Sequence, residues 1–374
     1  MFHKQTMIGR DQMGFYSLED LVPQDHLLRH IDQYVDFDFI YDLVVDKYSL
    51  EHGRPSLDPV MLIKIPIIQY LFGIQSMRQT IKEIEVNMAY RWFLGLDFQD
   101  DVPHFTTFGK NYSRRFKDTD LFEQIFYHIL DQAFAAKLVE PKLIYLDGTH
   151  IKAHANRNKF VNQEVAVEAL IYQESLEKEI DEVRAKVEKK PFKKSEEKIV
   201  KNNKVSTTDS DSGWFHKGEH KEVFAYSAQV ACDPNGWVLG YTADRGNLHD
   251  SRTFFDLYAK LIQKFPEIDT VVADAGYKTP AIAKKLIDDG RTGLFPYTRP
   301  RGKKELFRKR DFSYDYSNNT YTCPNGKQLI YKTTRRDGYQ EYRTTKTNCI
   351  TCPLLTQCTL SQTKQKTVFR HIWQ

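Results

Sequence analysis

No run of 18 or more apolar residues occurs in this chain of 374 residues, which excludes a hydrophobic membrane-spanning helix. The opening residues, Met-Phe-His-Lys-Gln-Thr, lack the apolar core of a secretory signal, so a cytoplasmic location is expected. Cysteine is scarce, with five residues, and four of them lie beyond residue 320. In a cytosolic chain such a cluster points to metal or to reduced thiols rather than to disulfides. Net charge is also small, +4, but it is unevenly divided. Residues 301–374 hold 15 Lys and Arg against 5 Asp and Glu, a balance of +10 that leaves −6 for the rest. That asymmetry suits a C-terminal segment that meets a polyanion; the alternative is a solvated basic face.

The length suits two or three domains, and a hydrophobic content of 41% supports sizeable cores. Two short apolar runs share one design. Residues 143–156 begin Leu-Ile-Tyr-Leu and reach Asp147, where a turn is expected; residues 269–277, Asp-Thr-Val-Val-Ala-Asp-Ala-Gly-Tyr, reach Asp274 in the same way. Continuous apolar runs of this kind suit strands buried on both faces. Two strands that each deliver a carboxylate at the C-terminal end fit a magnesium site, because Mg²⁺ takes hard oxygen ligands and few carboxylates. Taken alone, Asp147 is equally the first residue of an Asp-Gly hairpin turn.

Along the chain, residues 25–47 read as one helix. Asp58 and Pro59 have the chemistry of a helix cap and first helical residue, and Gly73 that of a helix stop. Ser76 caps a further expected helix reaching about residue 93, and another helix begins near Thr106. Buried helix, glycine turn and capped polar helix follow in the order of a helix-turn-helix unit, although a plain helical bundle reads the same way. Residues 157–208 are a charged excursion, expected to be a helical insertion with a flexible linker, with an antiparallel coiled-coil arm as the alternative. Strands are expected at 223–232 and 237–243 around an Asp-Pro-Asn-Gly turn. A helix capped by Asp250 or Ser251, the Asp274 strand, a helix ending at Gly290 and a short strand near Pro296 follow.

This order resembles a ribonuclease-H-like mixed α/β sheet core, preceded by an all-α N-terminal region and followed by a β-rich, cysteine-containing insertion. The expected boundaries are 1–138, 139–300 and 301–374. The sequence resembles insertion-sequence transposases of the DDE type from bacteria. The features that carry the likeness are Gly-Arg-Pro-Ser (53–56), Pro-His-Phe-Thr-Thr-Phe (103–108) and Tyr-Leu-Asp-Gly-Thr-His-Ile-Lys-Ala (145–153). Further along come His-Lys-Gly-Glu-His-Lys (216–221), Gly-Asn-Leu-His-Asp-Ser (246–251) and Val-Ala-Asp-Ala-Gly-Tyr (272–277).

The resemblance implies that Asp147 and Asp274 are catalytic acids holding Mg²⁺ or Mn²⁺, and that the chain cleaves and joins DNA strands. It also implies double-stranded DNA (transposon ends and target) as partner, a homodimer on DNA, and association with the bacterial nucleoid. The family's third acid is a Glu on a later helix, and neither Glu305 nor Glu341 has that context. The expectation is therefore a C-terminally truncated chain, inactive alone, whose third carboxylate lies beyond Gln374. His249 and Asp250 resemble a recurrent pair of the family, while Asp250 is equally explained as a helix cap, the reading favoured here. The basic residues expected to meet DNA are Arg78, Arg114, Arg115, Arg301, Lys303, Lys304, Arg308 and Arg310. Cys323, Cys349, Cys352 and Cys358 offer four thiolates for Zn²⁺, with four reduced thiols in a small core as the alternative. A DNA-binding protein without catalysis, or a metal-dependent nuclease on the same core, are the competing functions.

Overall fold

The computed structural model describes residues 14–49, 56–117, 119–166, 173–192, 200–217, 221–298 and 305–374. They fall into two compact units, Met1–Leu138 and Val139–Gln374.

The first unit is helical: α1 (Leu18–Leu21), α2 (Leu27–Tyr34), α3 (Phe39–Val44), α4 (Pro59–Leu71), α5 (Met77–Val86), α6 (Met88–Leu94), α7 (Thr106–Asn111) and α8 (Leu121–Ala135). Helix α4 starts as its sequence dictates, with Pro59 in the first turn and the Asp58 side chain accepting from the Met61 N–H at 2.9 Å. It buries Val60, Met61, Leu62, Ile63, Ile65 and Ile68, and so forms the centre of the core. The chain leaves it through Gly73 at φ +64°, and Ser76 caps α5.

Two helices expected to be continuous are each broken in two. Residues 25–47 split into α2 and α3 because the Gln132 amide of α8 grips Asp36. Its Oε1 accepts from the Asp36 N–H at 3.0 Å and its Nε2 donates to the Asp36 carbonyl at 2.9 Å. A backbone unit bonded sideways in this way is lost to the helical ladder. The helix expected from Ser76 to residue 93 stops at Val86, where Asn87 turns extended (φ −97°, ψ 113°). The Asn87 side chain then accepts from the N–H groups of Ala89 and Tyr90 and starts α6.

The second unit holds β1 (Leu143–Lys152), β2 (Phe160–Ala166), α9 (Gln173–Ala185), β3 (Val200–Ser206), β4 (Gly213–Lys217), β5 (Lys221–Cys232) and β6 (Val238–Arg245). It continues with α10 (Asp250–Lys264), β7 (Thr270–Ala273), α11 (Pro280–Asp288) and β8 (Thr292–Leu294). The main sheet has the order β6-β5-β1-β7-β8. Its first three strands are antiparallel neighbours, and β7 and β8 run parallel to β1. That order and those directions are the ribonuclease-H-like arrangement. Strand β4 extends the sheet beside the start of β5.

Helix α10 packs on β5 and β6, and α11 on β8. Alternation along β1 buries Ile144 and Leu146, while Tyr145, Asp147 and Ile151 are exposed.

The insertion carries the expected helix, as α9, but not the expected surroundings. Its start and end pair as an antiparallel ribbon, β2 with β3, and no coiled-coil arm forms among the described residues. Helix α9 instead packs on the C-terminal sheet, burying Ile180, with Arg184 donating to the Thr334 carbonyl and Trp373 Nε1 to Glu179. That sheet has five antiparallel strands: β9 (Ser313–Asp315), β10 (Thr320–Thr322), β11 (Gln328–Thr334), β12 (Tyr339–Arg343) and β13 (Val368–His371). Between β12 and β13 lie two short helices, α12 (Lys346–Ile350) and α13 (Leu355–Cys358).

Candidate active site

Asp147 and Asp274 are brought side by side. Parallel pairing sets Leu146 of β1 opposite Ala273 of β7. The acid is the next residue in each case, Asp147 within β1 and Asp274 just past the end of β7, and neighbouring strands are spaced by about 4.8 Å. Both side chains are exposed. Each is oriented by a glycine N–H: Gly148 donates to Asp147 Oδ1 at 2.8 Å, and Gly276 to Asp274 Oδ1 at 2.8 Å. The turn expected at Asp147-Gly148 does not occur. Strand β5 goes on pairing, from Asp147 opposite Val230 to Lys152 opposite Ala225, and carries β1 straight through.

A third carboxylate stands at this edge, one for which sequence reading favoured a structural role. Asp250 was expected to cap α10, but the cap is His249, whose Nδ1 accepts from the Ser251 N–H at 3.2 Å. Freed from capping, Asp250 Oδ1 accepts from Gln229 Nε2 at 3.2 Å. Two glycines make the room. A Cβ on Gly148 would stand 2.7 Å from Gln229 Nε2 and 3.1 Å from Asp250 Oδ1. A Cβ on Gly276 would stand 3.0 Å from Asp274 Oδ1 and 3.3 Å from Asp250 Oδ2, so these two carboxylates share the space over one glycine.

Beneath them runs a buried polar chain. The Tyr277 hydroxyl donates to Gln229 Oε1, and Gln229 Nε2 donates to Ser227 Oγ at 3.0 Å as well as to Asp250. Gln229 is fully buried and Tyr277 nearly so. Burial first, then the negative charges of Asp250, Asp147 and Asp274, push the Tyr277 pKa up. The geometric sign that these carboxylates lie close is the shared space over Gly276, which Asp274 and Asp250 both border. Among the described residues, no group of three or more His, Cys, Asp or Glu side chains is arranged to hold a metal ion as it stands. Mg²⁺ asks less of a protein, one or two carboxylates with waters and substrate phosphates completing its shell, and Asp147 and Asp274 are carboxylates that could serve it.

Neither Glu305 nor Glu341 supplies a helical third acid. Glu305 is exposed in a turn, and Glu341 lies on β12, bonded to Arg343 at 2.6 Å. His150, next to the site in sequence, is stacked on Phe215 at 3.6 Å and has a packing role.

Among the basic residues, Arg114 and Arg310 are exposed, and Arg308 is half-buried. Arg78 is exposed with its guanidinium over the Phe105 ring at 4.3 Å. Arg115 lies over Tyr48 at 4.5 Å and bonds Asn111, which commits it to packing. Arg301, Lys303 and Lys304 fall outside the described residues, as do residues 53–55 and 218–220 of the motifs. The four clustered cysteines line one small cavity, while Cys232 lies apart from them on β5.

A family model described as "Transposase DDE domain" matches residues 139–367, more than half of the chain. The chain belongs to the transposase DDE domain family. A second model, "Transposase domain (DUF772)", matches residues 16–114. Among solved structures, the Mos1 transposase paired-end complex with left transposon end is 14% identical over 66% of this chain and 61% of that one, with a TM-score of 0.21. The Mos1 mariner paired end complex with Mn is 15% identical over 72% of this chain and 66% of that one, also with a TM-score of 0.21. The transposase-family chain described here thus spans about three fifths of the length of the Mos1 chain of the first complex. Scores this low do not establish a common fold, and the ribonuclease-H-like assignment stands on strand order. No curated protein matches the chain.

Proposed function

We propose that the chain is a transposase that cuts phosphodiester bonds at the ends of a mobile DNA element and joins the freed 3′-hydroxyls to target DNA. The observation that carries this reading is the parallel pairing of Leu146 with Ala273, which sets Asp147 and Asp274 at the next position of each chain segment, in a chain of the transposase DDE family. Mg²⁺ or Mn²⁺, when bound there, would neutralise charge on the scissile phosphate and favour ionisation of the attacking water or hydroxyl. Asp147 and Asp274 supply hard oxygen donors, and the N–H groups of Gly148 and Gly276 fix their rotamers before any substrate arrives. Asp250, held by Gln229 beside Asp274, is the third carboxylate in this reading.

DNA would be gripped through its phosphates by exposed Arg78, Arg114 and Arg310, with Arg308 and the basic residues Arg301, Lys303 and Lys304 nearby in sequence. Helix α5, entered through the Gly73 turn, is the element suited to a groove, and two copies pairing on DNA complete the reading.

The test is cleavage of a duplex carrying the element's ends, with Mg²⁺ or Mn²⁺. Asp147→Asn should keep DNA binding and lose cutting by more than the roughly 100-fold that outer-shell changes can cost. Cutting by Asp147→Asn and Asp274→Asn at the parent rate would refute the site. The same assay separates two sources of the third ligand. Activity lost in Asp250→Asn favours Asp250, whereas DNA binding without any cutting favours an acid outside residues 1–374.

A further inference from the structure

Cys323 follows β10 and begins the turn to β11, Cys349 lies in α12, Cys352 just beyond it, and Cys358 ends α13. Although these positions are up to 35 residues apart in sequence, all four side chains line one cavity of about 30 Å³. None is in a disulfide, and each is half-buried. The remaining lining includes Phe312, Leu329 and Leu355, with Lys327 and Lys366 as the cationic groups.

Donors are aimed at the sulfurs. The Lys327 N–H points at Cys323 Sγ at 3.3 Å, across a turn that Gly326 closes at φ +70°. Asn325 Nδ2 points at Cys352 Sγ at 3.4 Å. A neutral thiol is a weak acceptor and gains little from such bonds, whereas a thiolate gains much. The segment that carries three of the cysteines also needs an anchor. Helices α12 and α13 have five and four residues, too short to hold by themselves. The core beneath is small, built on Phe312, Tyr321, Leu329, Tyr342 and Val368.

We propose that Cys323, Cys349, Cys352 and Cys358 form a structural Zn²⁺ site that ties the β10–β11 turn to the α12–α13 segment. Four thiolates are a tetrahedral, soft donor set that selects zinc over the oxygen-seeking ions proposed at Asp147. Lys327 and Lys366 offset the net negative charge of such a centre. As they stand the sulfurs ring the cavity without forming a metal-holding group, so loading draws them inward until each lies about 2.3 Å from the ion. A cavity of this size between four thiols leaves room for that movement. The site is independent of the transposase reading and can hold or fail separately from it.

The test uses the full chain purified under reducing conditions. Elemental analysis should find about one zinc per chain. Replacement with Co²⁺ should give the intense visible bands of a tetrahedral thiolate complex. Cys232→Ser should keep the metal, while Cys352→Ser and Cys358→Ser should lose it. Should those variants fail to fold, thiol titration of the parent decides. With zinc present the four clustered cysteines should resist the reagent, and a chelator should make them reactive. Zinc near zero with all five thiols equally reactive would overturn the proposal, as would iron in place of zinc or full zinc retention in both serine variants.

Discussion

At the residue scale the site depends on what Gln229 is bonded to. Its amide can serve Asp250 and Ser227 from Nε2 only because Tyr277 donates to Oε1, which fixes the orientation of the amide. Tyr277→Phe would leave that oxygen buried without its donor, at a cost of about 1–3 kcal/mol. The pH dependence follows from the same contacts. Burial and the nearby carboxylates raise the folded-state pKa of Tyr277, and burial with an Asp289 bond raises that of Tyr258. A phenol whose pKa is raised on folding contributes stability that is complete below its unfolded pKa of about 10 and is lost as pH climbs above it. Urea midpoints should therefore hold steady up to about pH 9 and fall beyond about pH 10. Tyr277→Phe should be less stable at neutral pH and fall less steeply in alkali. Identical alkaline slopes in parent and variant would rule out the buried phenol as a contributor. Little of this was legible in the sequence: Gln229 sits unmarked in a strand, and the His249-Asp250 pair, although similar to one in the family, was equally explained by capping at Asp250 because histidine is a less familiar cap.

At the scale of elements, the legible features were those whose causes are local. Asp58-Pro59 starts a helix, Gly73 and Gly290 end helices at positive φ, and Asp-Pro-Asn-Gly turns β5 into β6. The breaks were missed where the cause is distant or shared. Asp36 leaves the helix because a side chain 96 residues away takes its backbone bonds. Strand β1 runs through an Asp-Gly pair because β5 continues to pair with it, a tertiary preference overriding turn chemistry. Asn87 was legible in principle, since asparagine is among the best caps, but its surroundings read as one long helix. The break makes a measurable prediction. Asn87→Ala removes the acceptor for the Ala89 and Tyr90 N–H groups and should destabilise the first unit by about 1 kcal/mol, while Asn87→Asp should keep most of it. A denaturant series in which alanine and aspartate match the parent would show that α5 and α6 need no cap.

At the scale of the whole chain, the division of charge was readable by counting, but which charges are available was not. A side chain stacked on a ring and bonded to a neighbour is part of the packing, and only exposed cations can displace the counterions of a duplex. Arg114 and Arg310 are exposed, while Arg115 rests on Tyr48 and bonds Asn111. Each phosphate neutralised should contribute a slope of about −0.9 to a plot of log affinity against log salt. Arg114→Gln and Arg310→Gln should each make that slope shallower by about 0.9, with folding stability changed by no more than about 0.5 kcal/mol. Arg115→Gln should do the reverse, losing about 0.5–1 kcal/mol of stability through the ring contact and leaving the slope where it was. The pairing of the two measurements is what gives the prediction its force. If all three variants lower affinity equally with no change of slope, phosphate contact is not the role of Arg114 or Arg310.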